Sequence, residues 1–394
     1  MGSVITSIAR TPIGRFGGAF LPLQAVELGG AAIAAAISRS ELDPGQVDEV
    51  IFGHVIQAGQ GQITSRQAAL RGGLAMTTPA TTINKVCLSG MSAIAAADRA
   101  VRLGEAKFVV AGGMESMTNA PYVDRHVRWG SKSGDVRLVD AMLHDGLWCS
   151  IDACTMGESS DRRNARLGIG RSEQDEWSVA SHERALAATE SGVFAKEIVP
   201  VSVPQKRGDP ELVHRDEGIR EGVTLDTLGE LPPAFVGDGT ITAGNASQIS
   251  DGAAAVVVAD RAAADAVGSP LLAEIVAYGQ IGGADATLHE RPAEALRVAL
   301  KRAGMEPVDL DLLEINEAFA AVALWSARML DIDHSRVNVN GGAVALGHPL
   351  GATGARIVVT LINALRERGG GMGAATLCGG GGQGDALILK VSAA

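Results

Sequence analysis

Thr81-Thr82-Ile83-Asn84-Lys85-Val86-Cys87-Leu88-Ser89-Gly90-Met91 is the stretch on which the fold turns. Its first half, Thr81 to Val86, is β-branched and apolar and predicts a strand. Its second half opens a run of small residues, Leu88 to about Leu103, that predicts a closely packed helix. The apolar run Phe108-Val109-Val110-Ala111 then reads as a buried strand stopping at Gly112-Gly113. Cys87 falls at the strand-to-helix turn, where unpaired N–H groups and the positive end of a helix dipole favour a thiolate and a developing oxyanion.

Working outward, the same alternation continues. Upstream, Val4–Ile8 reads as a strand, 25–38 as a helix, 49–56 as a strand and 64–72 as a short helix. The last 120 or so residues repeat the theme. Strands are predicted at 271–278, 312–315, 374–377 and 386–391, with Val337-Asn338-Val339 extended. Helices are predicted at 292–303, 317–330 and from about Pro349 to Arg368, with Pro349 in the first helical position. Alternation of this kind implies an α/β layer architecture. Each half has a strand, a reactive residue, a small-residue helix, a strand and a glycine-rich stop, which suggests internal duplication. Cys87 holds the turn in the first half and His348 in the second.

Between the halves, roughly 115–247, the texture changes. This segment carries more charge and holds Trp129, Trp148 and Trp177 of the chain's four tryptophans. Ser172-Glu173-Gln174-Asp175 resembles a capping box opening a helix to about Ala188. A segment this long is too long for an unstructured loop, so it reads as an insertion capping the core and carrying ligand surface.

Composition excludes several classes. A formal net charge of −11 argues against a general nucleic-acid or anionic-membrane binder. No apolar run reaches the roughly 18–20 residues that span a bilayer. The start has no basic region followed by a long apolar core, so no secretion signal is expected and the cytoplasm is the expected location. Four cysteines are too few for a disulfide scaffold. Cys149 and Cys154 lack zinc-site partners at the usual spacing and read as buried and inert. With 50 glycines and 3% aromatics, the chain favours close backbone packing and loops that approach a ligand.

Three segments offer chemistry. Gly347-His348-Pro349-Leu350-Gly351 places an imidazole where backbone approaches from both sides; it is suited to take the Cys87 proton. Cys378 ends a strand and enters Gly379-Gly380-Gly381-Gly382; a second thiol tuned near neutrality suits movement of a carbon-bound proton. Asn316-Glu317 is read as opening a helix directly after a strand, with Asn316 either an N-cap or the anchor of a catalytic water. A thiol, an imidazole and a second thiol suggest acyl transfer through a covalent thioester.

Together the segments resemble the thiolase family over essentially the whole chain. The carrying motifs are Ala9-Arg10-Thr11-Pro12-Ile13-Gly14, Asn84-Lys85-Val86-Cys87-Leu88-Ser89-Gly90 and Ala111-Gly112-Gly113-Met114-Glu115-Ser116-Met117. Gly239-Thr240-Ile241-Thr242-Ala243-Gly244-Asn245-Ala246-Ser247, Asn316-Glu317-Ala318-Phe319-Ala320-Ala321 and Asn338-Val339-Asn340-Gly341-Gly342-Ala343 follow, then the His348 and Cys378 motifs. One such motif is weak; this set in this order is specific.

The resemblance implies a duplicated, layered αβαβα thiolase fold. Its N-terminal half would be 1–118 completed by about 248–268, its loop domain 119–247 and its C-terminal half 269–394. It implies that His348 activates Cys87, which an acyl-CoA acylates. Cys378 would then take an α-proton from acetyl-CoA, and acetoacetyl-CoA and coenzyme A would be released; thiolysis is the reverse. One oxyanion site would use His348 and an Asn316-held water, the other the N–H groups of Cys87 and Gly380. Ser247 matches a contact to the pantetheine arm, Met156 a side chain near the acyl group, and Arg220 a residue near the nucleotide. Coenzyme A thioesters are then substrates, no cofactor is expected, and a homotetramer (a dimer of dimers) is. Acting on longer 3-ketoacyl chains is the alternative.

The chain departs from the family pattern at three places: Thr155 where His is frequent, His289-Glu290-Arg291-Pro292 for the end of Met-Gly-x-Gly-Pro, and Gly379 where Ile is frequent. A decarboxylating synthase with two histidines and a non-catalytic acyl-CoA binder fit less well, because Cys87, His348 and Cys378 are all present.

Overall fold

The computed structural model describes residues 2–393. The first half runs β1 (Ser3–Arg10), α1 (Ala25–Arg39), β2 (Glu49–Gly53), α2 (Thr64–Arg71), β3 (Ala80–Ile83), α3 (Ser89–Arg102) and β4 (Phe108–Ser116). The intervening segment holds α4 (Met156–Leu167) and α5 (Arg171–Glu190), after which β5 (Ser250–Asp260) returns to the sheet. The second half runs β6 (Ala273–Gly282), α6 (Arg291–Ala303), β7 (Leu312–Ile315), α7 (Ala320–Leu330), α8 (Leu350–Arg366), β8 (Gly371–Gly379) and β9 (Gln383–Val391).

All nine labelled strands join in the order β7-β8-β9-β6-β1-β5-β4-β2-β3. Read outward from the centre, the halves match. β1–β5, β5–β4 and β4–β2 are antiparallel, antiparallel and parallel; so are β6–β9, β9–β8 and β8–β7. Even the parallel β2–β3 pair has a counterpart, in the bridge from Leu313 to Val337. This shared order supports the duplication read from the sequence. The halves meet where β1 pairs with β6 over only Val4↔Glu274 and Ile5↔Ala273.

Five layers result, because both faces of the sheet are apolar. In β4, Phe108 and Val110 pack under α1 while Val109 and Ala111 face the central helices. α6 and α7 cover the outer face of the second half through Leu296, Leu300 and Leu324. α3 and α8 lie between the half-sheets, and every α8 residue but the last is buried. Each large aliphatic there, Ile357 or Leu361 for example, contributes about 1.5–3 kcal/mol of burial.

Several predicted boundaries move, for physical reasons. β4 does not stop at Gly112-Gly113 but runs on to Ser116. A Cβ on Gly113 would lie 1.9 Å from the Gly351 carbonyl oxygen, so this glycine lets the start of α8 rest on the strand. The capping-box reading is shifted: α5 begins at Arg171, and Glu173 accepts from the N–H of Gly170 rather than serving a cap at Ser172. The helix expected at Glu317 starts at Ala320 instead. Residues 316–319 stay extended because Ser247 N–H donates to the Ala318 carbonyl and Ala320 N–H to that of Asn245. Asn316 is therefore not an N-cap. Pro349 stands one residue ahead of α8.

Candidate active site

The turn carrying Cys87 is strained. Val86, β-branched, has φ 51° in the left-handed region. It is held there by Asn84 Oδ1, which accepts from the Val86 N–H at 3.1 Å, and by Ser89 Oγ, which donates to the Val86 carbonyl at 2.6 Å. In the second half the residue before His348, Gly347, has φ 113°. Both reactive side chains thus leave an abrupt turn at a central-helix N-terminus.

The helices behind them cross at glycines. A Cβ on Gly90 would sit 2.8 Å from Ala355 N, and one on Gly354 would sit 2.4 Å from Met91 N. This close crossing draws the two helix starts together. His348 Nε2 lies 3.2 Å from Cys87 Sγ, across 261 residues of sequence. Two contacts across the seam fix the turns: Glu115 Oε2 accepts from Gly351 N–H at 2.9 Å, and Lys85 Nζ donates to Asp385 Oδ1 at 2.7 Å.

The histidine tautomer follows from its other side. His348 Nδ1 is 2.7 Å from Thr353 Oγ1, and that hydroxyl donates its one hydrogen to the Pro349 carbonyl at 2.9 Å. Thr353 can then only accept, so Nδ1 carries the proton and the Nε2 lone pair faces Cys87. Burial, then the positive field of Arg356, push His348 down to about 3, so the imidazole rests neutral.

Desolvation also pushes the half-buried Cys87 thiol up, to about 12; the backbone N–H groups of Cys87 itself and Gly380 pull the other way, and nearby Glu115 adds to the rise. The N–H groups at the turn do favour the thiolate, as expected, but desolvation outweighs them. Cys378 is driven up as well, by burial first and then by Cys87, and not toward neutrality as expected. These directions favour two thiols and a neutral imidazole in the resting site. Alkylation of Cys87 by iodoacetamide is therefore expected to rise about tenfold per pH unit from pH 6 to 9. A plateau near neutrality would instead reveal a preformed thiolate–imidazolium pair.

One cavity of about 650 Å³ gathers the predicted residues. Cys87, Met156, Arg220, Ser247, His348, Cys378 and Gly380 all line it, as do Arg15 and Phe16. Asn316 does not; it is fully buried behind the wall formed by Ala318 and Phe319, and neither amide atom has a hydrogen-bond partner among the described residues. Around Cys378 the wall is apolar: Leu288 and Phe319 line it in one packed cluster with Cys378, with Ile241 behind and Met156 against them. Phe235 meets Phe319 edge-on, ring centroids 6.0 Å apart.

The three departures have local explanations. Thr155 is the N-cap of α4, its hydroxyl accepting from Glu158 N–H at 3.2 Å. His289, Glu290 and Arg291 are buried off the cavity, with His289 Nε2 2.7 Å from Asn164 Oδ1, and only Leu288 of that loop reaches the wall. At Gly379 a Cβ would lie 2.5 Å from Leu88 Cγ, so Leu88 fills the space a larger side chain would need. Sequence reading missed Thr353, Phe235 and Phe319. Thr353 had a signal, since it follows Pro349 by four residues, the spacing of a hydroxyl back-bond in a helix.

Comparison with known proteins agrees with this geometry. The model for "Thiolase, N-terminal domain" matches residues 3–262, and that for "Thiolase, C-terminal domain" matches 269–391. The chain is 51% identical over 388 residues to a probable acetyl-CoA acetyltransferase of Mycobacterium tuberculosis, covering 98% of this chain and 99% of that one. It is 47% identical over 386 residues to an acetyl-CoA acetyltransferase of Pseudomonas aeruginosa, covering 98% of each. The crystal structure of the Bacillus anthracis acetyl-CoA acetyltransferase superposes with a TM-score of 0.96 at 42% identity, covering 99% of this chain and 98% of that one. With both domain models matched and the fold shared end to end, the chain belongs to the thiolase family.

Proposed function

We propose that this chain is an acetyl-CoA C-acetyltransferase, joining two acetyl-CoA into acetoacetyl-CoA and free coenzyme A and cleaving acetoacetyl-CoA in reverse. The observation that carries the reading is the lone pair of His348 Nε2 facing Cys87 Sγ at 3.2 Å, with Cys378 in the same cavity. Relatives named for this activity over nearly the full chain support it.

In cleavage, His348 takes the Cys87 proton as the sulfur attacks the 3-keto carbon. The carbon–carbon bond breaks, the acetyl group stays on Cys87, and the departing enolate takes a proton from Cys378. A coenzyme A thiol then attacks acetyl-Cys87 and carries the acetyl group away. The Gly380 and Cys87 N–H groups, which favour charge on the sulfur, would hold one oxyanion. Asn316, a buried amide with both functions free of partners among the described residues, suits an anchored water beside His348 for the other. Arg220 and Arg15 bring positive charge to the cavity of an otherwise acidic chain, where the ligand's phosphates would lie, and Ser247 lines the arm's path. Coenzyme A thioesters are the substrates, and the chemistry calls for no cofactor.

The apolar wall of Leu288, Phe319 and Met156 closes the space beside Cys378 and favours a short acyl group. Thiolysis of 3-ketoacyl-CoA substrates with four to sixteen carbons tests this. Activity concentrated on four carbons is expected; a peak at six or more would replace this reading with a broader 3-ketoacyl-CoA thiolase.

We also assign 119–247 as a loop domain over the thioester, working in a cytoplasmic homotetramer. No helix among the described residues is long and apolar enough to cross a membrane. Val127, Trp129, Val136 and Leu138 are exposed on one short segment, Trp129 at 86%, which fits a surface covered by another copy. Light scattering is expected to return four times the 40.4 kDa chain mass; a monomer at micromolar concentration would remove the assembly.

A further inference from the structure

Cys149 and Cys154 take no part in the chemistry above, yet the fold places them face to face. Trp148–Cys149 and Cys154–Thr155 form a two-stranded antiparallel ladder in which Cys149 is the direct partner of Cys154, and Trp148 of Thr155. Residues directly opposite in such a ladder have Cα atoms about 4.5–5.5 Å apart, inside the disulfide range of about 4.4–6.8 Å. Both thiols are free and each residue is 3% exposed. The turn between them is open to solvent, with Ile151 68% exposed and Ala153 in the left-handed region at φ 52°. Asp152 N–H points back to Cys149 Sγ at 3.4 Å, so that sulfur is held against the turn.

The ladder is also a piece of the cavity wall. Trp148 and Thr155, the pair next to the two cysteines, both line the cavity, and Met156 and Gly157 follow directly. We infer that Cys149 and Cys154 are a reversible dithiol–disulfide site, oxidised by small-molecule disulfides, whose closure pins this wall. In its reduced form the hairpin is held by two residue pairs, so Trp148 and Thr155 can move apart as a thioester enters. A covalent bond beside them removes that freedom. The cavity consequence rests on the function proposed above; the bond itself does not.

The exchange balances. Cys149 releases its proton and attacks one sulfur of the small disulfide, whose S–S bond breaks and expels one thiolate. Cys154 releases its proton and attacks the Cys149 sulfur of the mixed disulfide, forming the Cys149–Cys154 bond and expelling the second thiolate. The protein loses two electrons, the small disulfide gains two, and the two protons go to the two released thiolates. Burial and the Glu158 carboxylate push the Cys154 thiol up.

The full chain, incubated with oxidised glutathione, is quenched with N-ethylmaleimide and digested with trypsin. Both cysteines lie on one tryptic peptide, between Arg137 and Arg162. The expected peptide is two hydrogens lighter and unalkylated, and dithiothreitol restores two alkylated sites. Separate glutathione adducts on the two cysteines, or two alkylated thiols at oxidant levels that modify Cys87, would overturn the site. In thiolysis assays the oxidised chain is expected to show a KM about threefold higher, while Cys149→Ser and Cys154→Ser keep the reduced KM under the same oxidant. Modification of Cys87 lowers kcat instead, so the two effects separate. A disulfide that forms with KM unchanged would leave the bond and overturn the pinning.

Discussion

Cys87→Ala is expected to lower thiolysis and condensation alike by a factor on the order of 10⁴–10⁶, the loss seen when a covalent nucleophile is removed from a site whose parts act as a unit. Cys87 is only half-buried and small, so alanine leaves the fold standing. The Val86 turn is held by Asn84 and Ser89 rather than by the thiol, and His348 keeps its bond to Thr353. The substrate cavity therefore persists while the acyl acceptor is gone. Labelled acetyl-CoA should leave acetyl on the wild-type chain and none on the variant. Acetyl label still attached to the variant, or more than a few per cent of the wild-type rate, would mean that the acyl group travels by another route.

Cys378→Ala should divide the reaction. In the proposed mechanism acylation of Cys87 uses His348 and the N–H groups of Cys87 and Gly380 but not Cys378, so exchange of labelled coenzyme A into acetyl-CoA is expected to stay within a few-fold of wild type. Condensation additionally needs the α-proton moved, and loss of that acid–base group should cost on the order of 10²–10⁴. The raised Cys378 thiol adds a direction. A protonated Cys378 is ready to protonate the enolate in cleavage but must ionise before it can act as a base in synthesis. Equal loss of exchange and condensation would reduce Cys378 to a packing role in the cluster with Leu288 and Phe319.

Much of this was legible in the sequence because it rests on local pattern. The β-branched run before Cys87, the small residues after it and the same arrangement around His348 report strand, turn and helix without reference to the rest of the chain. Gly112 and Gly113 were misread for the same reason. Locally two glycines look like a stop, whereas their cause is the Gly351 backbone, 238 residues away, lying against Gly113. Asn316-Glu317 looked like a helix start, but Glu317 is committed to Trp177, Ser181, Asn338 and the Val344 N–H, all distant partners that hold the segment extended. The protonation states failed for a related reason. A helix dipole can be read from a motif, while the desolvation that outweighs it is a property of the assembled cavity. The cross-strand meeting of Cys149 and Cys154 likewise needed the ladder register, which spacing alone does not fix.

The mirrored strand order has a consequence for how such a site can change. On the proposed mechanism neither repeat contains an active centre: Cys87 comes from one, His348 and Cys378 from the other. The sheet seam beneath them is two residue pairs long, and the helices above touch through Gly90 and Gly354. Reactivity is thus a property of the relationship between two bodies rather than of either body. Substitutions along that crossing belong to the reactive apparatus whether or not they touch a substrate, and the repeats are bound to diverge as a couple, each tolerating only changes its counterpart can still meet.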